Sequence, residues 1–134
     1  MQFKSVEDAY LMLANYVQAF IGARQWDEAG CQMRVFGKMA RGSQWLIDKG
    51  IRDEQGGFEA DQNAIWGGLD AAIFLRNNIL ATTGDRIWGL TFTLYPDGRF
   101  SIEYDYNKPE GYEDTDESIS VDDAIKGLSG FHKG

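Results

Sequence analysis

Residues 88–106 read WGLTFTLYPDGRFSIEYDY, and the periodicity of this stretch decides the fold. Trp88, Leu90, Phe92 and Leu94 fill the even positions before the turn, and Phe100, Ile102, Tyr104 and Tyr106 fill them after it. Such alternation sends apolar side chains to one face of a strand and the intervening residues to the other. A two-residue Asp97-Gly98 turn would set even positions opposite odd ones and split the apolar sets between the two faces. A three-residue loop, Pro96-Asp97-Gly98, instead sets Leu94 against Phe100, Phe92 against Ile102, Leu90 against Tyr104 and Trp88 against Tyr106. Proline suits position i+1 of a type I turn and glycine the left-handed residue after it, so turn chemistry selects the same register. Ser101, Glu103 and Asp105 then project from the opposite face, beside Thr91 and Thr93.

Those two carboxylates open an acidic segment. From 103 to 123 the chain carries nine acids (Glu103, Asp105, Glu110, Glu113, Asp114, Asp116, Glu117, Asp122 and Asp123) and one base, Lys108. The segment's net charge of −8 equals that of the whole chain, and the remaining residues balance at 12 acids and 12 bases. A field concentrated in one segment suggests a basic partner; charge alone favours a solvated loop that aids solubility. The register separates the two readings, because it starts the segment on a strand whose other face is core.

Upstream, Ser5 reads as an N-cap followed by Glu7 and Asp8 in the first turn. Val6, Ala9, Tyr10, Leu13, Tyr16, Val17 and Phe20 recur at helical spacing, which predicts a helix over 6–21 ended near Gly22. Residues 31–37 alternate as a half-buried strand with 43–49 as its partner, in a register that the sequence leaves open. Residues 50–60, rich in glycine and charge, read as a loop, and Asp61 as the next N-cap. Helical spacing is firm over 69–80; Gly67 and Gly68 each cost about 1 kcal/mol against alanine, so the helix either starts after them or packs closely there. Residues 107–118 read as an irregular exposed loop, and Ser120 as the cap of a short final helix through Leu128.

The totals exclude several function classes. At 134 residues with 43% hydrophobic residues and two prolines, the chain fits one folded domain over 1–134. Cys31 has no second cysteine for a disulfide or a zinc cluster, which fits a reducing cytoplasm. The N-terminus lacks a secretory pattern, and no run approaches the ~18 apolar residues of a membrane span. A charge of −8 disfavours direct nucleic-acid binding, which depends on cationic side chains. His132 is the single histidine, near a terminus expected to fray, and Cys31 reads as a small core residue. Neither supplies a nucleophile with a positioned base. Phosphate-binding glycine motifs and an EF-hand order of ligands are absent, so no cofactor and no metal are expected. Trp26, Trp45, Trp66 and Trp88 read mostly as core or interface anchors.

The run from Trp88 to Tyr106 resembles the signature of the YezG-type immunity proteins: a Trp, an alternating strand, an Asp-Gly turn, and a strand of the form Gly-(Lys/Arg)-Phe-x-(Ile/Val)-(Glu/Asp)-(Tyr/Phe)-(Asp/Asn)-Tyr. A looser likeness spans roughly 5–117, through the N-terminal helix, Trp26-Asp27 before a hairpin, and a helix feeding the signature strand. The resemblance implies a bacterial antitoxin that binds and neutralises a toxin, commonly a nuclease, and needs no catalytic residue. A nuclease presents a basic surface that an acidic inhibitor can occupy.

The expected fold is a single α+β domain: an antiparallel sheet of about four strands, an N-terminal and a central helix packed on it, and a short C-terminal helix. The expected function is that of a cytoplasmic, non-enzymatic immunity protein. Its toxin-binding surface is assigned to Glu103, Asp105, Glu110, Glu113, Asp114, Asp116 and Glu117, with Tyr112 as an aromatic hot spot. The alternatives are an acidic adaptor or chaperone that does not inhibit its partner, and a small hydrolase using carboxylates.

Overall fold

The computed structural model describes residues 3–109. Along the chain come α1 (Val6–Ile21), β1 (Glu28–Phe36), β2 (Met39–Asp48), β3 (Ile51–Asp53), α2 (Asn63–Thr83), β4 (Gly89–Leu94) and β5 (Phe100–Asp105). All strand pairs are antiparallel and the sheet order is β3-β2-β1-β4-β5. The fold is α+β, with five strands where the sequence suggests about four. The extra strand, β3, arises inside the stretch read as a loop; three residues are too few to show an alternation. The expected final helix from Ser120 through Leu128 lies outside the described residues.

Helix α1 forms where its cap and spacing predict. Ser5 has extended backbone and its Oγ accepts the Asp8 N–H at 3.3 Å, while the Asp8 carboxylate accepts the Lys4 N–H at 2.9 Å. The first bond satisfies one of the otherwise unmatched donors of the first turn, and the second ties the residue before the cap to that turn. Ala9, Leu13, Tyr16, Val17, Phe20 and Ile21 form the buried stripe, and Gly22 closes the helix.

Helix α2 runs straight through Gly67 and Gly68, both buried. A Cβ at Gly68 would lie 2.6 Å from Tyr16 Cγ and 2.9 Å from Tyr16 Cβ, so the glycine lets α2 lie against α1. That packing compensates for the poor helix propensity. The N-cap is Gln62, whose side chain makes no cap bond, rather than the expected Asp61; Asp61, one residue earlier, still serves the first turn, its Oδ1 accepting the Ala64 N–H at 3.2 Å. Tyr16, wedged at this crossing, donates from its hydroxyl to Gln44 Oε1 on β2 at 2.7 Å.

Both helices cover one face of the sheet. Ala29, Cys31, Met33 and Val35 of β1, Leu46 of β2, and Leu90, Phe92 and Leu94 of β4 supply its buried surface. The first hairpin is longer than expected, from Glu28↔Ile47 to Phe36↔Met39, around a two-residue Gly37-Lys38 turn. Gly37 has φ 54°, the left-handed value that a type II′ turn asks of its first residue.

The second hairpin has the register its sequence dictates: Leu94↔Phe100, Phe92↔Ile102 and Leu90↔Tyr104. Gly98, at φ 92°, is the left-handed residue of the three-residue loop, and Tyr95 N–H bonds the Arg99 carbonyl at 2.9 Å. The expected Trp88–Tyr106 pair is not formed. The ladder ends at Gly89↔Asp105, Trp88 N–H donates to the Asp105 carbonyl at 2.7 Å, and the Asp105 carboxylate accepts the Asn107 N–H at 2.9 Å. That side-chain turn bends the backbone out of the strand before Tyr106, which is exposed.

The connection from β3 to α2 is also built rather than loose. Phe58, in left-handed backbone at φ 66°, is buried against Tyr16 and Phe20, and its N–H bonds the Ala19 carbonyl at 2.9 Å. Arg24 holds the start of the connection, with Nη1 3.2 Å from Asp53 Oδ2 and 2.6 Å from the Gln55 carbonyl. Its other nitrogens donate to the Phe20 and Ile21 carbonyls at the end of α1. Among the described residues no helix is long and apolar enough to cross a membrane.

Candidate functional site: the open face of the sheet

Alternation fixes what the uncovered face carries. Opposite the buried positions lie Gly30, Gln32 and Arg34 of β1, Arg41, Ser43 and Trp45 of β2, and Arg52 of β3. Gly89, Thr91 and Thr93 of β4 and Ser101, Glu103 and Asp105 of β5 complete it. The sequence expectation for Ser101, Glu103, Asp105, Thr91 and Thr93 is met. Glu110, Tyr112, Glu113, Asp114, Asp116 and Glu117 lie outside the described residues.

The two described carboxylates have different surroundings. One cross-strand row runs Arg34↔Gly89↔Asp105, and Arg34 Nη1 reaches Asp105 Oδ2 at 2.9 Å. Gly89 leaves the space for that reach: a Cβ there would lie 2.6 Å from the Met33 carbonyl and 3.4 Å from Arg34 Cδ. The Asn107 N–H, first, and the Arg34 guanidinium, second, hold the Asp105 carboxyl below the usual carboxylate range. The next row runs Gln32↔Thr91↔Glu103, all uncharged except Glu103. Glu103 is exposed, and among the described residues it takes part in no ion pair. Glu103 is therefore the uncompensated negative charge on β5, whereas Asp105 shares its charge with a base.

The face grades from acidic at β5 to basic at β2 and β3, where Arg41 and Arg52 are exposed. Arg52 sits 4.9 Å above the Trp45 ring and bonds Glu54 at 2.6 Å. Trp45 is itself buried: a Cβ on neighbouring Gly30 would lie 2.6 Å from its ring, so the glycine lets the indole lie flat against the sheet. Trp88 is buried under the Arg86 guanidinium at 3.7 Å, and Trp26 packs partly against the core. Trp66 departs from this pattern, standing 69% exposed on α2. Helical spacing does not reveal this, since Trp66 lies three residues before Leu69 and seven before Ile73, both half-buried, while the buried stripe of α2 runs through Ala64, Gly68, Ala71 and Leu75.

The Cys31 thiol is fully buried, and burial pushes its pKa up to about 12, so it stays protonated at neutral pH. Tyr104 is raised as well, by burial first and then by its 3.2 Å hydrogen bond with Tyr10. Among the described residues no three His, Cys, Asp or Glu side chains gather where they could hold a metal ion. Comparison with protein-family models and with curated proteins found no match to this chain.

Proposed function

We propose that this protein is an immunity protein that binds a bacterial toxin, a nuclease by preference, and blocks it stoichiometrically from within the cytoplasm. The observation that carries the reading is Glu103, exposed on the outer face of a strand whose inward residues Ile102 and Tyr104 pack against the core, at the start of a segment with net charge −8. A charge on a strand is pre-positioned, so a basic partner meets a fixed anchor before it meets the rest of the segment. The proposed contact surface is Glu103 together with Glu110, Tyr112, Glu113, Asp114, Asp116 and Glu117. Asp105 contributes less, because Arg34 already neutralises it. The likeness of residues 88–106 to the YezG-type signature supports the same reading.

The test is co-expression with the product of the neighbouring gene. That product is expected to arrest growth alone, to be harmless beside this protein, and to co-purify with it at fixed stoichiometry. Growth arrest that this protein leaves untouched, with no complex formed, would sink the reading.

A further inference from the structure

Among the described residues, strand β5 is one edge of the sheet and β3 is the other. An edge presents unpaired backbone groups, and natural sheets guard it with short strands, lysine, proline or bulges. At three residues β3 is guarded by its length, whereas β5 has six residues, FSIEYD, without lysine or proline. The direction of its backbone groups follows from the ladder. Val35 N–H bonds the Trp88 carbonyl at 3.1 Å, so even positions of β4 face β1 and odd positions face β5. Tyr95 N–H bonds the Arg99 carbonyl at 2.9 Å, which sets the odd positions of β5 inward. Phe100, Ile102 and Tyr104 therefore turn their N–H and C=O groups to the open edge. Unburied aromatic surface lies along the same edge: Phe100 is 45% exposed and Tyr106, just past the strand, 53%.

We infer that β5 pairs antiparallel with β5 of a second copy of this chain, about a two-fold axis at Ile102, joining two sheets into one. Backbone direction requires even residues to face even residues. Charge then separates the registers. An axis at Glu103 would set that carboxylate against its own copy, and an axis at Tyr104 would set Glu103 against Asp105; like charges directly opposed are destabilising. An axis at Ser101 sets Glu103 against Arg99 but slides Tyr104 out against Gly98. The axis at Ile102 sets Asp105 against Arg99, Glu103 against Ser101 and Tyr104 against Phe100, twice over by symmetry. Arg99 is available for this role: its partner, Asp97, lies in its own turn, and the two side chains are 76% and 56% exposed, a pair of little energetic weight. Asp105 keeps Arg34 on one oxygen and the Asn107 N–H on the other, and as a 35% exposed carboxylate it has lone pairs left for Arg99 as a second base. On the helix-covered side, Tyr10 already touches Phe100 and Tyr104, so the aromatic row would continue across the axis.

A second copy is the occupant because both complementary ends lie on one strand. Its acids are at the C-terminal end and its arginine just before the N-terminal end, and an antiparallel two-fold brings each against the other. The inference stands apart from the toxin reading, since pairing uses the strand edge while Glu103 and Asp105 keep projecting from the open face. One strand pair is a small interface, so the dimer is expected to depend on concentration.

Sedimentation equilibrium of the chain alone, from about 1 µM to about 1 mM, is expected to show mass rising from one copy to two. Arg99→Glu, exposed and in a turn, should leave the circular dichroism spectrum and melt unchanged and weaken self-association at least about fivefold. The register is read by cross-linking. Chains carrying Ser101→Cys mixed with chains carrying Glu103→Cys are expected to form the mixed disulfide faster than either forms its own; native Cys31 is buried and does not compete. Mass of one copy throughout the range overturns the inference, as does a dimer indifferent to Arg99→Glu, which would place another surface or another strand's partner at the contact. Faster cross-linking of Glu103→Cys with itself overturns the register.

Discussion

Two single residues show how space and charge decide this structure. Gly68 is a helix-interior glycine, and alanine there would gain about 1 kcal/mol of helix propensity. The added Cβ would lie within 2.9 Å of three Tyr16 carbons, and Tyr16 cannot retreat, being held by Gln44 at 2.7 Å and packed against Phe58. Overpacking of this kind costs about 1–3 kcal/mol, so the clash outweighs the propensity. Gly68→Ala is expected to unfold at lower urea concentration than the parent, and a higher midpoint would show that α1 and α2 can separate at no cost. Asp105 makes the electrostatic case. Its folded-state pKa is depressed, so its contribution to stability is complete above the unfolded carboxylate pKa and is lost as pH falls through the folded value. Asp105→Asn keeps an acceptor for the Asn107 N–H and removes the charge facing Arg34. The variant is expected to be less stable by about 0.5 kcal/mol at neutral pH, the scale of a surface ion pair. The difference from the parent should close as pH falls below the folded pKa. A gap independent of pH would mean that the carboxylate charge is not what stabilises the strand end.

At the scale of elements, the connection between β3 and α2 behaves as part of the core. Phe58→Ala empties a buried site against Tyr16 and Phe20, which costs about 3 kcal/mol for a phenylalanine truncation. Hydrogen exchange is expected to quicken at the Phe58 amide, bonded to the Ala19 carbonyl, and at its neighbours, while β4 and β5 keep their protection at equal global stability. Uniform loss of protection would assign Phe58 to global folding instead. Sequence alone does not show this, because a left-handed phenylalanine in a glycine-rich stretch carries no periodic signal. Length limits β3 in the same way, and the start of α2 is hidden because the favourable term at Gly68 comes from α1, outside any local window. Periodicity is readable where it runs long enough: α1 and both strands of the 88–106 hairpin follow from spacing and turn chemistry. The outward direction of Glu103 and Asp105 follows as well. Their different electrostatics does not, since Arg34 is 71 residues from Asp105 and meets it only because β1 lies beside β4.

For the whole molecule, the decisive quantity is where the charge lies rather than how much there is. The chain's −8 resides in residues 103–123, and the rest is neutral in sum. A basic partner approaching from a distance comparable to the screening length, about 10 Å in moderate salt, feels that segment before it feels any contact. Reversing Glu113, Asp114, Asp116 and Glu117 to lysine removes eight units and brings the net charge to zero. Reversing Glu7, Glu54, Glu59 and Asp85 makes the same change in net charge from exposed sites outside the segment. If the segment steers the proposed toxin, the first set is expected to slow association about tenfold or more at low salt, flatten its salt dependence and change dissociation little. The second set should slow association far less. Stopped-flow mixing across a salt series reads both rates. Equal slowing by the two sets would replace a directed patch with plain net charge, and no slowing by the first would leave Glu103 and its strand as the whole of the contact.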